Sequence, residues 1–101
     1  MTEGIERGER TPFKMDTETI PDGVDIALAG QRTALIQGFR DGVIDAEDAM
    51  RSLLGLYWDT QSIASGETRI YLMASSYEFP VEAGLSMDIA NAIWHEAMPN
   101  Q

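Results

Sequence analysis

Apolar side chains recur every three or four residues on both sides of a turn at 41–44, so residues 23–64 predict a helix–turn–helix hairpin. The first helix is expected to start at an N-cap provided by Asp22, with Asp25 near the positive end of the helix dipole. Its apolar stripe consists of Val24, Ala27, Leu28, Leu35 and Phe39, widened by Ile26 and Ile36. Glycine in a helix interior costs roughly 1 kcal/mol relative to alanine, so Gly30 and Gly38 indicate close helix contacts or a weak helix.

The second helix has the clearest pattern in the chain. Asp45 is its expected N-cap, and Glu47 and Asp48 lie in its first turn, where the helix dipole favours negative charge. Serine and glycine at 65–66 are expected to end it. One face carries a regular series of side chains: Ala46, Ala49, Met50, Leu53, Leu54, Tyr57, Gln61 and Ala64.

Three large side chains, Leu56, Trp58 and Ile63, lie off this face. Either the second helix is buried over a wide arc or one of the three is exposed for a partner. Trp58 is the side chain we expect to be exposed, because Tyr57 already takes the buried face. Tyrosine and tryptophan are favoured anchors in protein interfaces.

The flanking segments are less regular. Residues 1–12 mix glycine, proline and alternating charge, which predicts a mobile N-terminal arm. Residues 13–19 alternate with period two, which predicts a short extended segment. Residues 67–79 fit either a helical face or a buried strand, and their alanine, leucine and methionine content favours helix. As a strand, 68–75 would pair with 13–19.

The last helix follows a predicted break at 80–84. Ser86 is its expected N-cap, Asp88 lies in its first turn, and Pro99 ends it. The predicted fold is therefore mainly α: a small single-domain bundle of three to four helices built on the 23–64 hairpin. The short two-stranded β element remains an alternative. We expect an arm at 1–12 and one acidic domain at 13–101.

Composition and length suit a globular domain with one modest core, because 101 residues are 44% hydrophobic and 24% charged. Without cysteine, disulfides and thiolate metal sites are excluded. No apolar run approaches the roughly 18 residues of a membrane span, and the N-terminus lacks the apolar region of a signal peptide. We expect a soluble, cytoplasmic protein.

Charge is the unusual property of the chain. Seventeen acidic residues against seven lysines and arginines give a net charge of −10, and the excess lies in 15–101. Such a surface repels phosphate backbones and anionic lipid, so direct binding to nucleic acid or membranes is not expected. The acidity either keeps the protein in solution or recruits a protein partner with a basic surface.

The string 41–45 followed by Asp48 resembles the second half of an EF-hand calcium loop. The first and third ligands of such a loop would be Gln37 and Phe39, and a phenyl ring cannot ligate a hard cation. The same acids are better explained as a tight turn and a helix cap. Divalent-cation binding is therefore the weakest alternative, and no cofactor or metal site is predicted.

No catalytic constellation is evident. His95 is the only histidine, no serine lies in a nucleophile elbow, and no glycine-rich phosphate loop occurs. We therefore predict that the protein is not an enzyme.

Two functions remain open. The first is a binding module that occludes the basic, nucleic-acid-binding surface of a partner, by analogy in size and charge with phage anti-restriction and anti-CRISPR proteins. The expected contacts are the off-face aromatic and aliphatic side chains with nearby acids: Trp58, Asp59, Leu56, Glu47 and Asp48. The second is a self-associating helical adaptor, a homodimer that packs through the second helix.

Overall fold

A computed structural model describes Met15 and residues 19–98, which fold into four helices. They are α1 (Ile26–Arg40), α2 (Ala46–Asp59), α3 (Gly66–Ala83) and α4 (Met87–Ala97). The predicted mainly helical bundle is confirmed. Residues 68–75 lie inside α3, so the helical alternative is correct and the paired β element is wrong; the described residues contain no strand. The arm at 1–12 lies outside the described residues, as does 13–19 apart from Met15 and Thr19.

α2 lies at the centre of the bundle and packs against each of the other three helices. Its buried face consists of Ala49, Met50, Leu53, Leu54 and Tyr57, as its periodicity predicts. The neighbouring elements complete the core with Met15, Ile36, Phe79 and Ile93. Phe79 is fully buried and meets Phe39 edge to face, with ring centroids 5.1 Å apart.

The start of α1 differs from the prediction, because the N-cap is Asp25 and not Asp22. The Asp25 side chain does not cap its own helix. Its backbone N–H donates to the Thr68 hydroxyl at 2.8 Å, and its carboxylate accepts hydrogen bonds from the Ser65 N–H and the Thr68 hydroxyl. The position of α1 is therefore set by contacts with the start of α3.

The end of α2 also differs. α2 stops at Asp59, and Ser65 begins α3 instead of ending α2. The Ser65 hydroxyl accepts a hydrogen bond from the Thr68 N–H and donates to the Gly23 carbonyl at 2.9 Å. A serine–glycine pair suits either end of a helix, and these bonds decide in favour of a start.

The predicted break at 80–84 is wrong, because α3 continues through Pro80 to Ala83. Pro80 cannot donate the helical hydrogen bond to the Ser76 carbonyl, but only three helical residues follow it, so little of α3 depends on the disrupted turn. Gly84 then ends the helix at φ +81°, and its N–H donates to the Pro80 and Val81 carbonyls.

The two remaining predicted caps are confirmed. Asp45 accepts a hydrogen bond from the Asp48 N–H at 2.8 Å, and Ser86 accepts one from the Ile89 N–H at 3.2 Å. Both helices therefore begin where the sequence pattern places them.

Candidate protein-binding surface

Every arginine among the described residues makes polar contacts within the fold. The acceptors are hydroxyl, carbonyl and carboxylate oxygens: Ser75 Oγ for Arg32, the Met15 carbonyl for Arg40, the Gln61 and Ala64 carbonyls for Arg69, and Glu47, Asp48 and Glu96 for Arg51. Arg32 is buried, and its guanidinium lies 4.6 Å from the centroid of the Tyr71 ring. The guanidinium groups of the described residues are therefore engaged in contacts within the protein.

Arg51 forms ion pairs with two carboxylates at the start of α2 and with one on α4. Its guanidinium lies 3.5 Å from the Glu96 carboxylate, 3.2 Å from Asp48 and 3.8 Å from Glu47. The charge of Glu96 and its hydrogen bond, together with the charges of Asp48 and Glu47, raises the pKa of Arg51. Glu47 and Asp48, both predicted partner contacts, therefore have a compensating charge beside them.

Other carboxylates have no such compensation. The side chains of Asp22, Asp59, Glu67, Glu78, Glu82 and Asp88 are exposed and have no hydrogen-bond or ion-pair partner within the described residues. Four of these six lie on α3 and α4. Uncompensated negative charge is therefore concentrated on these two helices.

The predicted contact residues on α2 lie in different surroundings. Leu56 and Asp59 line an open groove of about 690 Å³ between α1 and α2. Trp58 is half-buried against the core and packs edge to face on Tyr57 at 4.9 Å. The Trp58 Nε1 atom is buried, with no hydrogen-bond partner in the part of the chain described. Trp58 is therefore not the exposed member of the three off-face side chains; Ile63, which lies beyond the end of α2, is 74% exposed.

Small residues create the groove between α1 and α2. Ala34 and Gly38 of α1 face Ser52 and Gly55 of α2 across it. A Cβ at Gly55 would have no heavy atom within 4 Å beyond its chain neighbours and its own helix backbone. Leu35, Ile44 and Leu56 form apolar walls beside this space.

The exposed apolar side chains of α3 form a continuous line that we call the α3 stripe: Ile70, Met73, Tyr77 and Val81. Their spacing of three and four residues places them on one face of the helix. Ile70 is 72% exposed, Tyr77 58% and Val81 73%. Among the described residues, Tyr77 and not Trp58 is therefore the exposed aromatic side chain.

The stripe continues into a cleft between α3 and α4. Tyr77 stacks on Trp94 of α4, with ring centroids 4.9 Å apart and planes inclined by 22°. The cleft has a volume of about 290 Å³ and is lined by Val81, Leu85 and Met87 as well as the two rings. A large apolar side chain from outside the protein would fit against these walls.

Carboxylates flank this apolar surface. Glu78 follows Tyr77 along α3, Glu82 follows Val81, and Asp88 follows Met87 on α4. The arginine of α3 lies at its N-terminal end, where the guanidinium is bonded to carbonyls of the α2–α3 connection. The α3 stripe and cleft are thus apolar in the middle and acidic along the flank.

The sequence pattern contained part of this surface. Ile70, Met73 and Tyr77 fit one helical face, and such a face normally points to the core. Here the core-facing side of α3 carries Thr68, Leu72, Ser75, Ser76 and Phe79 instead. The buried hydroxyls bond to backbone carbonyls of the preceding turn, from Ser75 to Tyr71 and from Ser76 to Leu72.

Among the described residues, no group of three or more histidine, aspartate or glutamate side chains could hold a metal ion. Asp41 accepts a hydrogen bond from the Gln37 amide, while Asp45 caps α2. His95 lies exposed in the last turn of α4. None of the described helices combines the length and apolar character of a membrane span.

Comparison with protein-family models, curated proteins and solved structures finds no match to this chain. Its function must therefore be inferred from its own surface chemistry.

Proposed function

We propose that this chain is a non-catalytic acidic module that binds a protein partner through a basic surface on that partner. One observation carries the proposal: the arginines of the described residues are bonded within the fold, whereas Glu78, Glu82 and Asp88 of α3 and α4 face solvent beside exposed apolar side chains. Complementary charge speeds encounter and selects the partner, while apolar anchors supply most of the affinity.

The specific form we propose is occlusion. A basic surface on a protein is commonly one that binds nucleic acid, because phosphate contacts dominate that binding. A module with net charge −10 that covers such a surface competes directly with the nucleic acid. Arg51 interrupts the carboxylates on α2, so this helix does not copy the spacing of phosphates; occlusion of a basic surface does not require such a copy.

The test is affinity capture with the full chain as bait, from a lysate treated or not treated with nuclease, followed by purification of the captured protein. We expect to capture a basic protein whether or not the lysate is treated with nuclease. Its affinity for the module should fall as salt rises from about 50 mM to about 500 mM. We also expect the purified partner to lose nucleic-acid binding in the presence of the module.

Variants of the exposed carboxylates test whether their charge contributes to binding. Glu78→Gln, Glu82→Gln and Asp88→Asn together remove three carboxylates, and the matched control Glu78→Asp, Glu82→Asp and Asp88→Glu keeps the charge. We expect binding to weaken in the first protein and to persist in the second. Binding that neither salt nor the neutral variant changes would remove the electrostatic basis of the proposal, and a partner lost on nuclease treatment would show an indirect contact through nucleic acid.

A further inference from the structure

We propose that the α3 stripe and its cleft with α4 form a docking site for an amphipathic helix with basic flanks, supplied by the partner. This inference rests on the proposed function, since it names the part of the partner that the acidic surface receives. A protein helix suits this surface, whereas nucleic acid and anionic lipid do not, because anionic ligands would meet Glu78, Glu82 and Asp88.

The shape of the surface suits a helix. From Ile70 to Val81 the stripe is about 16 Å long at the helical rise of 1.5 Å per residue, which corresponds to three turns. A partner helix laid along it would present apolar side chains at every third or fourth position. The exposed fractions of Ile70, Tyr77 and Val81 all exceed one half, so these side chains have apolar area to bury.

The cleft provides the anchor. Tyr77 and Trp94 form a stacked wall, and Leu85 and Met87 lie on the other sides of the space. Met87 is 70% exposed, and the flexible thioether side chain can adapt to the shape of an inserted group. One large apolar residue of the partner helix enters here, and its neighbours lie on Met73 and Ile70.

The negative charges on α3 indicate which residues the flank of the partner helix carries. Glu78 and Glu82 are one helical turn apart on the same side of α3, and their carboxylates have no partner in the described part of the chain. Lysine or arginine on the facing side of the partner helix would pair with them. Exposed pairs of this kind add little affinity, so they set the orientation and the association rate.

The same charges disfavour a second copy of this chain as the occupant. In an antiparallel two-fold pair of α3 helices, the same face of each helix packs on the other. Glu78 and Glu82 of one copy would then lie along the same side of the interface as those of its partner, and like charges gathered at one interface are unfavourable. A basic helix satisfies the apolar stripe and the carboxylates together.

The test uses three labelled synthetic peptides of about 18 residues, long enough to cover α3. The first carries leucines at helical spacing and lysines along the flanks; the second replaces lysine by glutamate; the third scrambles the spacing of the first. Fluorescence anisotropy with the full chain is expected to show binding of the first peptide at least tenfold tighter than of the other two. Equal binding of the scrambled peptide would refute docking of an amphipathic helix. Equal binding of the acidic peptide would refute recognition of a basic flank.

Variants locate the contact. Ile70→Ser with Val81→Ser should weaken binding of the basic peptide at least tenfold, whereas the control Val43→Ser, at a side chain 77% exposed in the 41–44 turn, should leave it unchanged. Because all three side chains are exposed, circular dichroism should show an intact fold. Equal losses in the two proteins would place the contact elsewhere. A wild-type dimer in sedimentation that the Ile70 and Val81 changes dissociate would identify a second copy as the occupant and overturn the inference.

The two proposals fail separately. If the captured basic protein still binds the chain carrying Ile70→Ser and Val81→Ser, the docking inference is wrong while the proposed function stands. If the basic peptide binds the stripe but the captured protein ignores salt and carboxylate neutralisation, the proposed function is wrong and the helix site stands alone.

Discussion

Two glycine-to-alanine changes test how the hairpin is built. Gly55 lies inside α2 and Gly42 lies in the turn before it, and a Cβ at either position would have no neighbouring atom within 4 Å. The added methyl group is therefore the same in both variants and meets open space in both. The backbone differs, because Gly42 has φ +77° whereas Gly55 is helical.

The expected effects have opposite signs. Alanine is favoured over glycine in a helix interior by about 1 kcal/mol, so Gly55→Ala should raise the free energy of unfolding by about that amount. At Gly42 a side chain in the left-handed region costs about 1–2 kcal/mol. For a domain of this size about 1 kcal/mol corresponds to a change in Tm of about 4–8 °C. Gly55→Ala should therefore raise Tm by about that amount and Gly42→Ala should lower it by at least as much.

Thermal melts and urea unfolding, both followed by circular dichroism, measure the two changes. An unchanged m value would show that the variants alter stability and not the surface exposed on unfolding. A lower Tm for Gly55→Ala would refute the reasoning, because it would mean that the methyl group meets atoms in the groove between α1 and α2. A neutral Gly42→Ala would mean that the turn does not require a left-handed residue.

Three further outcomes are expected. Phe79→Ala should cost about 3–5 kcal/mol in urea unfolding, since the ring is fully buried between α3 and the rest of the core; a loss below about 1 kcal/mol would mean that α3 packs through another face. Ser65→Ala should destabilise the fold by about 1 kcal/mol or more, and by more than Ser86→Ala, because both serines cap a helix but only the first also bonds across the fold to a backbone carbonyl. Calcium at millimolar concentration should leave the Tm unchanged, because the acids of 41–48 form a turn and a cap; a rise in Tm with calcium would restore the ion-loop interpretation.

The local chemistry of the sequence determined much of the helical framework. Asp45 and Ser86 are preferred N-cap residues, and each precedes a segment with helical apolar spacing. In the structure both side chains accept a hydrogen bond from the backbone N–H three residues later. The buried face of α2 also follows its periodicity, because this helix lies at the centre and any large apolar side chain on it has a neighbour to contact. The two caps depend on residues within one turn of each other, whereas the buried face of α2 follows the helical repeat because other helices cover it.

Contacts between distant residues decided the remaining boundaries. Asp25 became the N-cap of α1 and Ser65 that of α3 through hydrogen bonds that join residues 40 or more apart. Helix propensity also could not reveal that α3 passes through Pro80, because proline disfavours a helix interior and here Phe79 and Pro80 are both buried in the fold.

The candidate surface shows the same limit most clearly. Period alone identifies that Ile70, Met73 and Tyr77 share a face of α3, but not whether that face points inward. In the folded chain Thr68, Ser75 and Ser76 turn to the core, where local and cross-helix hydrogen bonds satisfy their hydroxyls, and Arg32 of α1 reaches the Ser75 hydroxyl. The sequence by itself determined which side chains of α3 lie together, and only the packing of α3 on α1 and α2 decided that the apolar set faces solvent.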